Sequence, residues 1–219
     1  MNWLTIHPWL LSLEVAVVAT GVNLLVGIPL GYALGRNKFP GRTILESLVI
    51  LPLVLPPTVV GYLLMFVIGR RGLYGFITGD SLLFSIVAAI FASAVVSFPL
   101  LVMPVKAAFA SISREFFEEA RICGLNRFQI LIHIALPLAR RGLTAGLLLA
   151  FARSLGEFGA TLMLVGTHAR TRTLPIQIYV DAGLTDDFLA AWPAVLTLSL
   201  TSMAVILVAN RMRWLDADK

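Results

Sequence analysis

The sequence is short of charge: only 13% of its 219 residues are Asp, Glu, Lys or Arg, about half of the roughly 25% that is typical of soluble domains. Hydrophobic residues make up 58% of the chain, and its mean hydropathy is +0.90. This composition excludes a water-soluble domain, because a fold of this size could not bury so much apolar surface. Apolar runs of about 18 or more residues are typical of membrane-spanning helices. The sequence therefore predicts an all-α integral membrane protein.

Several features of enzymes and cofactor proteins are absent. Cys123 is the single cysteine, which excludes an internal disulfide, and the three histidines are far apart without metal-ligand spacing. The phosphate-binding pattern GxxxxGK[ST] does not occur, nor does the dipeptide Gly-Lys. No paired carboxylates accompany a nucleophile. We expect that this chain is not an enzyme, binds no metal or cofactor and does not itself hydrolyse ATP.

The apolar residues form five candidate spans within one domain, 1–219, whose core covers about 11–210. The predicted spans are 11–34, 44–69, 82–107, 142–166 and 189–210. Eleven basic residues lie in the first loop, the third loop and the tail, against four on the opposite side. The positive-inside rule then predicts an extracytoplasmic N-terminus and a cytoplasmic C-terminus. The net charge of +5 is explained by membrane orientation, so we do not expect a nucleic-acid partner.

Two patterns inside the spans concern helix shape and helix contact. Gly27 and Gly31 are four residues apart on one helix face, a spacing that lets a neighbouring backbone approach closely. Pro52, Pro56 and Pro57 lie inside the second span and predict a kinked or broken helix. The break could serve shape alone or a gate in a transport path, and the sequence leaves both open.

A charged stretch, "EEARICGLNRFQILIHIALP", interrupts the apolar runs between the third and fourth spans. Ser113 is a candidate N-cap for a first helix, and Gly124 falls where a helix end favours a positive φ. Asn126 and Gln129 have the spacing of a capping box for a second helix. We expect this second helix to stop or bend at Pro137. The third loop is thus predicted to be an ordered cytoplasmic pair of helices.

The first of these helices is amphipathic and acidic. Glu115, Glu118 and Glu119 form one edge, while the apolar residues are Phe116, Phe117 and Ala120. Helices that lie on the anionic cytoplasmic leaflet usually carry Lys or Arg on their polar face. The acidic edge therefore favours docking on a protein with basic residues over contact with lipid.

Arg153 and Glu157 place two charges deep in the fourth span. They are four residues apart and share a helix face, about halfway across the membrane. Charges at that depth cost at least about 2.5–3.5 kcal/mol on insertion scales and normally face a bundle interior or a cavity. The pair could fix helix packing or line a path for an anion, and the residues themselves do not decide between these roles.

The charged stretch resembles the cytoplasmic EAA signature of binding-protein-dependent ABC importer permeases. The matching residues are Glu118, Glu119, Ala120, Gly124, Ile134, Leu136 and Pro137, with Glu119 in place of the usual small residue. The resemblance implies the type I ABC importer permease fold, with about five transmembrane helices. It also implies that the first helix is a coupling helix, seated in a groove of a separate ATPase subunit.

Further segments resemble molybdate importer permeases, close relatives of sulfate and thiosulfate permeases. They are "GRNKFPGR", "LPLVLPPTVVGYLL", "RRGLYG", "FARSLGEFGATLMLVG" and "TRTLPIQIYV". The resemblance implies a multi-pass protein of the bacterial inner membrane that moves a tetrahedral oxyanion by alternating access. Molybdate is favoured, tungstate would use the same path, and a sulfate or thiosulfate importer is the alternative.

The same resemblance implies partners. They are a second copy of this chain, two cytoplasmic ABC ATPase subunits that bind ATP and Mg, and an extracytoplasmic oxyanion-binding protein, with membrane lipid around the spans. A passive anion channel or a membrane-embedded enzyme would belong to a different class. A channel would need no docking helix, so the ordered acidic insertion weighs against it.

Overall fold

The structure is a computed structural model that describes the backbone of residues 3–217 and the side chains of residues 7–208 and of Arg211. Lys219 and the side chain of Arg213, which contributed to the predicted orientation, lie outside this description. Through residues 3–217 the chain is helical and contains no strand. The predicted all-α fold is confirmed.

The longer helices are joined by short turns and by several shorter helices. In chain order, the α-helices are α1 (Trp3–Arg36), α2 (Arg42–Val54), α3 (Pro57–Ile68), α4 (Leu73–Thr78), α5 (Ile86–Ser111), α6 (Arg114–Ile122), α7 (Arg127–Ile130), α8 (Leu136–Leu155), α9 (Gly159–Val165), α10 (Leu174–Ile178) and α11 (Phe188–Ala217). Two π-helical turns cover Leu131–Ala135 and Tyr179–Leu184, and a 3₁₀ turn covers Ala169–Thr171.

Among the described residues, five helical segments are long and apolar enough to cross a membrane, the number predicted from the sequence, although the second begins at Pro57 and ends at Thr78 rather than covering 44–69. These segments are His7–Arg36, Pro57–Thr78, Ile86–Ser111, Arg127–Leu155 and Phe188–Val208.

The predicted ends of the fourth span were wrong. The helix continues through Arg140 and Arg141, which were assigned to the loop before it, and the span ends at Leu155 rather than near 166. Both arginines are exposed on the helix surface, and the long stem of an arginine lets its charged head reach water from within a helix.

The third span, α5, occupies the centre of the bundle. It packs against α1, α2, α8 and α9. Its most apolar stretch is 56% buried, against 11% for the last span. Small residues on α5, among them Ala88, Ala92 and Ser93, are almost fully buried, which allows neighbouring helices to approach closely.

Glycines bring α1 and α8 against this central helix. A Cβ atom on Gly27 would lie 2.8 Å from Leu101 Cδ2, and one on Gly31 would lie 2.6 Å from Val105 Cγ1. At Gly31 the added atom would also approach Lys106 N at 3.2 Å, so this position requires glycine for the close α1–α5 contact, whereas at Gly27 the end of the Leu101 side chain could move aside. Asn23 adds a polar contact, because its amide donates to Ala94 O at 3.0 Å and to Ser97 Oγ at 2.9 Å.

The second predicted span is divided in two. α2 ends at Val54, Leu55 and Pro56 are extended, and α3 begins at Pro57. Proline disfavours the helical conformation in the residue before it, which accounts for the extended Leu55 and Pro56. Pro52 stays inside α2. The two halves have different neighbours, since α2 packs against α5 and α3 packs mainly against α9.

Candidate functional site

The charged insertion folds into α6 and α7, and its boundaries follow local rules. α6 begins after Ser113, which is extended but makes no capping hydrogen bond with its side chain. Ser113 thus marks the helix start without the predicted side-chain cap. Gly124 adopts φ +80°, and the amide of Leu125 donates to Ala120 O at 3.1 Å. A left-handed residue of this kind closes the end of a helix.

The predicted capping box is present at the start of α7. The amide of Gln129 donates to Asn126 Oδ1 and the amide of Asn126 donates to Gln129 Oε1, both at 2.9 Å. Of the two outcomes predicted at Pro137, a stop or a bend, the stop does not occur, because α7 passes through the π-helical turn Leu131–Ala135 directly into α8. A proline inside an α-helix lacks a donor and clashes with the carbonyl four residues before it, and the wider turn just before Pro137 accommodates it.

One face of α6 is packed onto the end of the bundle where α1 and α5 end. Phe117 and Ala120 are each only 5% exposed, in a cluster with Phe109, Ile112 and Ile130. This packing fixes α6 against both α5 and α7.

The opposite face of α6 is open. Glu115, Glu118 and Glu119 are exposed. Phe116, placed among the apolar residues from sequence, is 49% exposed and lies on this open side with Ile122 at 86%. Phe128, just beyond the Gly124 turn, is 69% exposed. We call these six residues the acidic-apolar face. Apolar side chains beside acidic ones suit a protein groove better than open water.

Ile134, Leu136 and Pro137, the remaining residues of the signature, lie after the turn rather than on this face. Ile134 and Leu136 are half-buried and pack against the same cluster as Phe117, while Pro137 is exposed. Ile134 and Leu136 thus pack the π-helical turn and the start of α8 against the cluster that contains Phe117.

Arg36, at the end of α1, contacts α6 and was missed by sequence reasoning. Its Nη1 donates to Ile112 O at 2.7 Å, and its guanidinium carbon lies 3.9 Å from the centre of the Phe117 ring. In the sequence, Arg36 is only a basic residue in the last turn of a span. The positive-inside rule already explains such a residue, so nothing indicated its contact with α6.

A second group of charges joins α2 to α5 near the same end of the bundle. Glu46 Oε1 lies 2.8 Å from Arg42 Nε, and its Oε2 lies 2.9 Å from Lys106 Nζ. This carboxylate is an ionic link between α2 and the central helix α5.

Arg153 and Glu157 meet at a break in the fourth span. Glu157 Oε2 lies 2.6 Å from Arg153 Nη1, outside hydrogen-bond alignment, so the contact is ionic. Its other oxygen accepts from Ala160 N at 2.8 Å, which caps α9. The carboxylate side chain is only 1% exposed, whereas that of Arg153 is 28% exposed. The expected continuous helix is therefore wrong here: α8 ends at Leu155 and α9 starts at Gly159.

The breaks in the second and fourth spans touch each other. A Cβ atom on Gly159 would lie 2.8 Å from Pro57 Cβ, and one on Gly61 would lie 2.7 Å from Met163 Cβ. The structure thus brings together two motifs, the proline motif and the Arg153–Glu157 pair, that lie about a hundred residues apart. Ser154 and Thr161 add buried hydroxyl groups without a hydrogen-bond partner beside the pair.

The side chains that the structure describes form no group of three or more His, Cys, Asp and Glu residues that could hold a metal ion. What they do form is a partly exposed arginine, Arg153, near the end of α8, and the exposed acidic-apolar face on α6 and α7.

Among the described residues, four candidate spans surround a fifth, the buried α5, and two broken helices and an ordered amphipathic helix accompany them, an arrangement that suits a membrane-embedded transport subunit. The chain belongs to the family described as binding-protein-dependent transport system inner membrane component, which matches residues 27–217.

The chain is similar to curated relatives over most of its length. It is 42% identical over 191 residues to the putative molybdenum transport system permease protein YvgM of Bacillus subtilis, covering 84% of each chain. It is 43% identical over 175 residues to the molybdenum transport system permease protein ModB of Escherichia coli, covering 78% of this chain and 76% of the relative. The relatives are permease subunits of transport systems rather than enzymes.

The fold is that of a solved importer. The MetNI methionine ABC transporter, in inward-facing conformations, matches with a TM-score of 0.73 over 96% of this chain and 94% of that chain. At 20% identity, this likeness establishes the type I ABC importer permease fold alone.

Proposed function

We propose that the chain is the translocation subunit of an ATP-driven importer of a tetrahedral oxyanion, namely molybdate. The names of relatives at 42% and 43% identity support this substrate. Tungstate would follow the same path, since the two ions have the same charge and nearly the same shape. A sulfate or thiosulfate importer is the alternative that substrate competition must exclude.

The acidic-apolar face is the single observation that carries the importer mechanism. Residues such as Glu118 and Glu119 are exposed on a helix whose other face is buried, so this face is free for a partner with basic and apolar residues. In our proposal it docks into a cytoplasmic ATPase, which binds ATP and Mg and supplies the movement. Gly124 fixes the angle at which α6 meets α7, and Ile134, Leu136 and Pro137 hold that arrangement.

The proposed assembly contains two copies of this chain, two ATPase subunits and an extracytoplasmic binding protein that delivers the anion. Large apolar residues along α11, among them Leu189, Leu196 and Leu200, are more than half exposed. Such a surface suits the second copy and membrane lipid. The N-terminus then lies outside the bacterial inner membrane and the C-terminus in the cytoplasm, with residues 1–219 acting as one domain.

Arg153 is the proposed contact for the anion in the path. Its side chain is partly exposed at the break in the fourth span, and its charge is balanced by the buried Glu157. A balanced cation attracts an oxyanion without holding it tightly, which a permease needs in order to release its cargo. The adjoining breaks in the second and fourth spans divide these helices into segments that can move separately, while no bond in the substrate changes.

The docking proposal is tested with Glu118→Lys in the chain expressed together with its ATPase and binding protein. We expect the variant to insert in the membrane but to lose co-purification with the ATPase and ATP-dependent molybdate uptake at least tenfold. Asp80→Lys, at an exposed acidic residue beyond the second span, is the matched control and should retain both. Normal uptake in Glu118→Lys would exclude the docking role.

The path is tested by Arg153→Ala and Arg153→Lys in proteoliposomes that contain the assembled complex. We expect uptake of labelled molybdate to fall about tenfold in Arg153→Ala and less in Arg153→Lys, with assembly retained. Unchanged uptake in an assembled Arg153→Ala complex would leave only a packing role.

The substrate is tested by competition at the binding protein. Competition by sulfate, at the concentrations where molybdate and tungstate compete, would favour the sulfate alternative. Uptake without ATP would favour a channel.

A further inference from the structure

Arg36 forms a contact between the first span and α6 that its position in the sequence does not require. It is half-buried and makes two contacts with different elements. Nη1 donates to Ile112 O at the end of α5, and the guanidinium stacks on the Phe117 ring of α6. Lys38, two residues further on, is exposed. A basic residue that served membrane orientation alone would be as exposed as Lys38.

The two contacts of Arg36 satisfy groups that the turn between α5 and α6 leaves open. Ile112 is extended and follows the last residue of α5, where carbonyl groups have no partner within the helix. A cation at a helix C-terminus is favourable, and a guanidinium over an aromatic face adds a cation–π attraction. Arg36 therefore holds the turn and the buried face of α6 at once.

The helix that carries Arg36 is firmly attached to the centre of the bundle. A Cβ atom on Gly35 would lie 2.8 Å from Lys106 O, and the Tyr32 ring packs edge-on against Phe109 with ring centroids 5.1 Å apart. Together with the close contacts of Gly27 and Gly31, these make the cytoplasmic halves of α1 and α5 one unit. A displacement of α6 is passed to this unit through Arg36.

A second attachment of α6 leads elsewhere. Beyond Gly124, the capping box of α7 connects α6 to α8 and so to the fourth span. The covalent link on the other side is the short turn of Ile112 and Ser113. Without Arg36, α6 would be joined to α5 only by this turn and by the apolar packing of Phe117 against Phe109 and Ile112, which is non-directional, and it would lose its polar link to α1.

We infer that Arg36 is a positioning residue for transport: it couples the movement of α6 to the α1–α5 unit, so that ATP hydrolysis and opening of the path stay linked. This inference rests on the proposed docking of α6 on an ATPase. Arg36 itself touches neither the anion nor the acidic-apolar face.

The test measures labelled molybdate taken up per ATP hydrolysed by the full complex in proteoliposomes. Arg36→Met keeps the length of the side chain and removes its charge and donors, and Arg36→Lys keeps the charge. We expect Arg36→Met to hydrolyse ATP within about twofold of the wild-type rate while the uptake per ATP falls at least fivefold. Arg36→Lys should recover more than half of the wild-type ratio, and Lys38→Met, the matched control, should leave it unchanged.

Phe117→Leu provides an independent check, because it removes the ring and keeps an apolar side chain in the cluster. We expect a smaller fall in uptake per ATP than in Arg36→Met, and no further fall when both changes are combined, since they remove one contact. If the Arg36→Met complex does not assemble, the uptake per ATP hydrolysed by Arg36→Lys and Phe117→Leu tests the role of Arg36 instead.

The inference is overturned if the uptake per ATP hydrolysed is unchanged in an assembled Arg36→Met complex. If the Arg36→Met complex does not assemble, an unchanged uptake per ATP in Phe117→Leu overturns it instead. Failure of the proposed function looks different, because the wild-type chain would then neither co-purify with an ATPase nor take up molybdate in an ATP-dependent way.

Discussion

The membrane part of the chain and the α6–α7 insertion treat charged residues in opposite ways. Just after the fourth span, Glu157 is buried and both of its oxygens have a partner within the chain, Arg153 and the amide of Ala160. On α6, Glu118 and Glu119 are exposed on the acidic-apolar face, whose six residues include no cation. The first arrangement is complete within this chain, and the second is suited to a partner.

The two regions are also stabilised by different means. The membrane part relies on close helix contact, at glycines such as Gly31 where a side chain has no room. The helices of the insertion are too short for extensive contact of this kind. They depend instead on the Gly124 turn, the Asn126 capping box and the burial of Phe117. Substitutions in the membrane part should therefore lower the free energy of unfolding strongly, whereas substitutions in the insertion should have smaller effects on stability that are local or concern partner binding.

The largest loss of stability is expected for Arg153→Met, which leaves the Glu157 carboxylate buried without its cation. Removing one partner of a buried pair costs about 3–5 kcal/mol. The free energy of unfolding, measured by circular dichroism in detergent micelles titrated with SDS, should fall by this amount. Arg170→Met, at an exposed arginine, is the control. Arg153→Met combined with Glu157→Gln should recover part of the loss, and a single-variant loss below about 1 kcal/mol would contradict the buried pair.

A smaller loss is expected for Gly31→Ala. The new Cβ would lie 2.6 Å from Val105 Cγ1 and 3.2 Å from Lys106 N, which forces α1 away from α5. Overpacking of this kind costs about 1–3 kcal/mol. Gly21→Ala on the same helix meets nothing within 4 Å, so it should be neutral or stabilising by up to about 1 kcal/mol. Equal effects of the two variants in the same titration would show that α1 does not depend on this close contact.

Asn126→Ala tests the capping box of the insertion. Loss of an N-cap side chain costs about 1 kcal/mol, and we expect the effect to be local, as faster hydrogen exchange at the amides of Arg127–Ile130. Asn37→Ala, at an exposed asparagine after α1, should change stability by less than about 0.5 kcal/mol. If exchange in α7 is unchanged in Asn126→Ala, packing rather than capping holds this helix.

The smallest effect on stability is expected for Glu118→Lys in the isolated chain. Its side chain is exposed, so the free energy of unfolding should change by less than about 0.5 kcal/mol, although association with the ATPase is lost. Glu46→Lys is the contrast, because it reverses a carboxylate that pairs with Arg42 and Lys106 and should destabilise more. If the free energy of unfolding of Glu118→Lys fell by more than about 1 kcal/mol, Glu118 would make a stabilising contact within the chain, and the acidic-apolar face would not be open to a partner.

Features set by near neighbours in the sequence could be predicted. The number of spans, the turn at Gly124 and the capping box of Asn126 and Gln129 each follow from apolar length or from spacings of a few residues. The break at Pro56 follows from proline geometry in the same way.

The errors occurred where distant residues decide the local structure. Gly156, Glu157 and Phe158 leave the helix with no proline to require it, since Glu157 turns to cap α9. Arg140 and Arg141 suggested a loop, but the helix continues through them. Pro137 suggested a stop or a bend, and the helix does not stop there, because a π-helical turn accommodates the proline.

The sequence by itself determined that the chain is an all-helical membrane protein with five spans and an ordered acidic insertion, because hydropathy, charge asymmetry and helix caps act over short stretches. Only the tertiary structure decided that the breaks of the second and fourth spans touch, that α5 is central, and that Arg36 connects the first span to α6. These contacts join residues about eighty to a hundred positions apart. Their geometry depends on how the whole bundle packs, which no local pattern specifies.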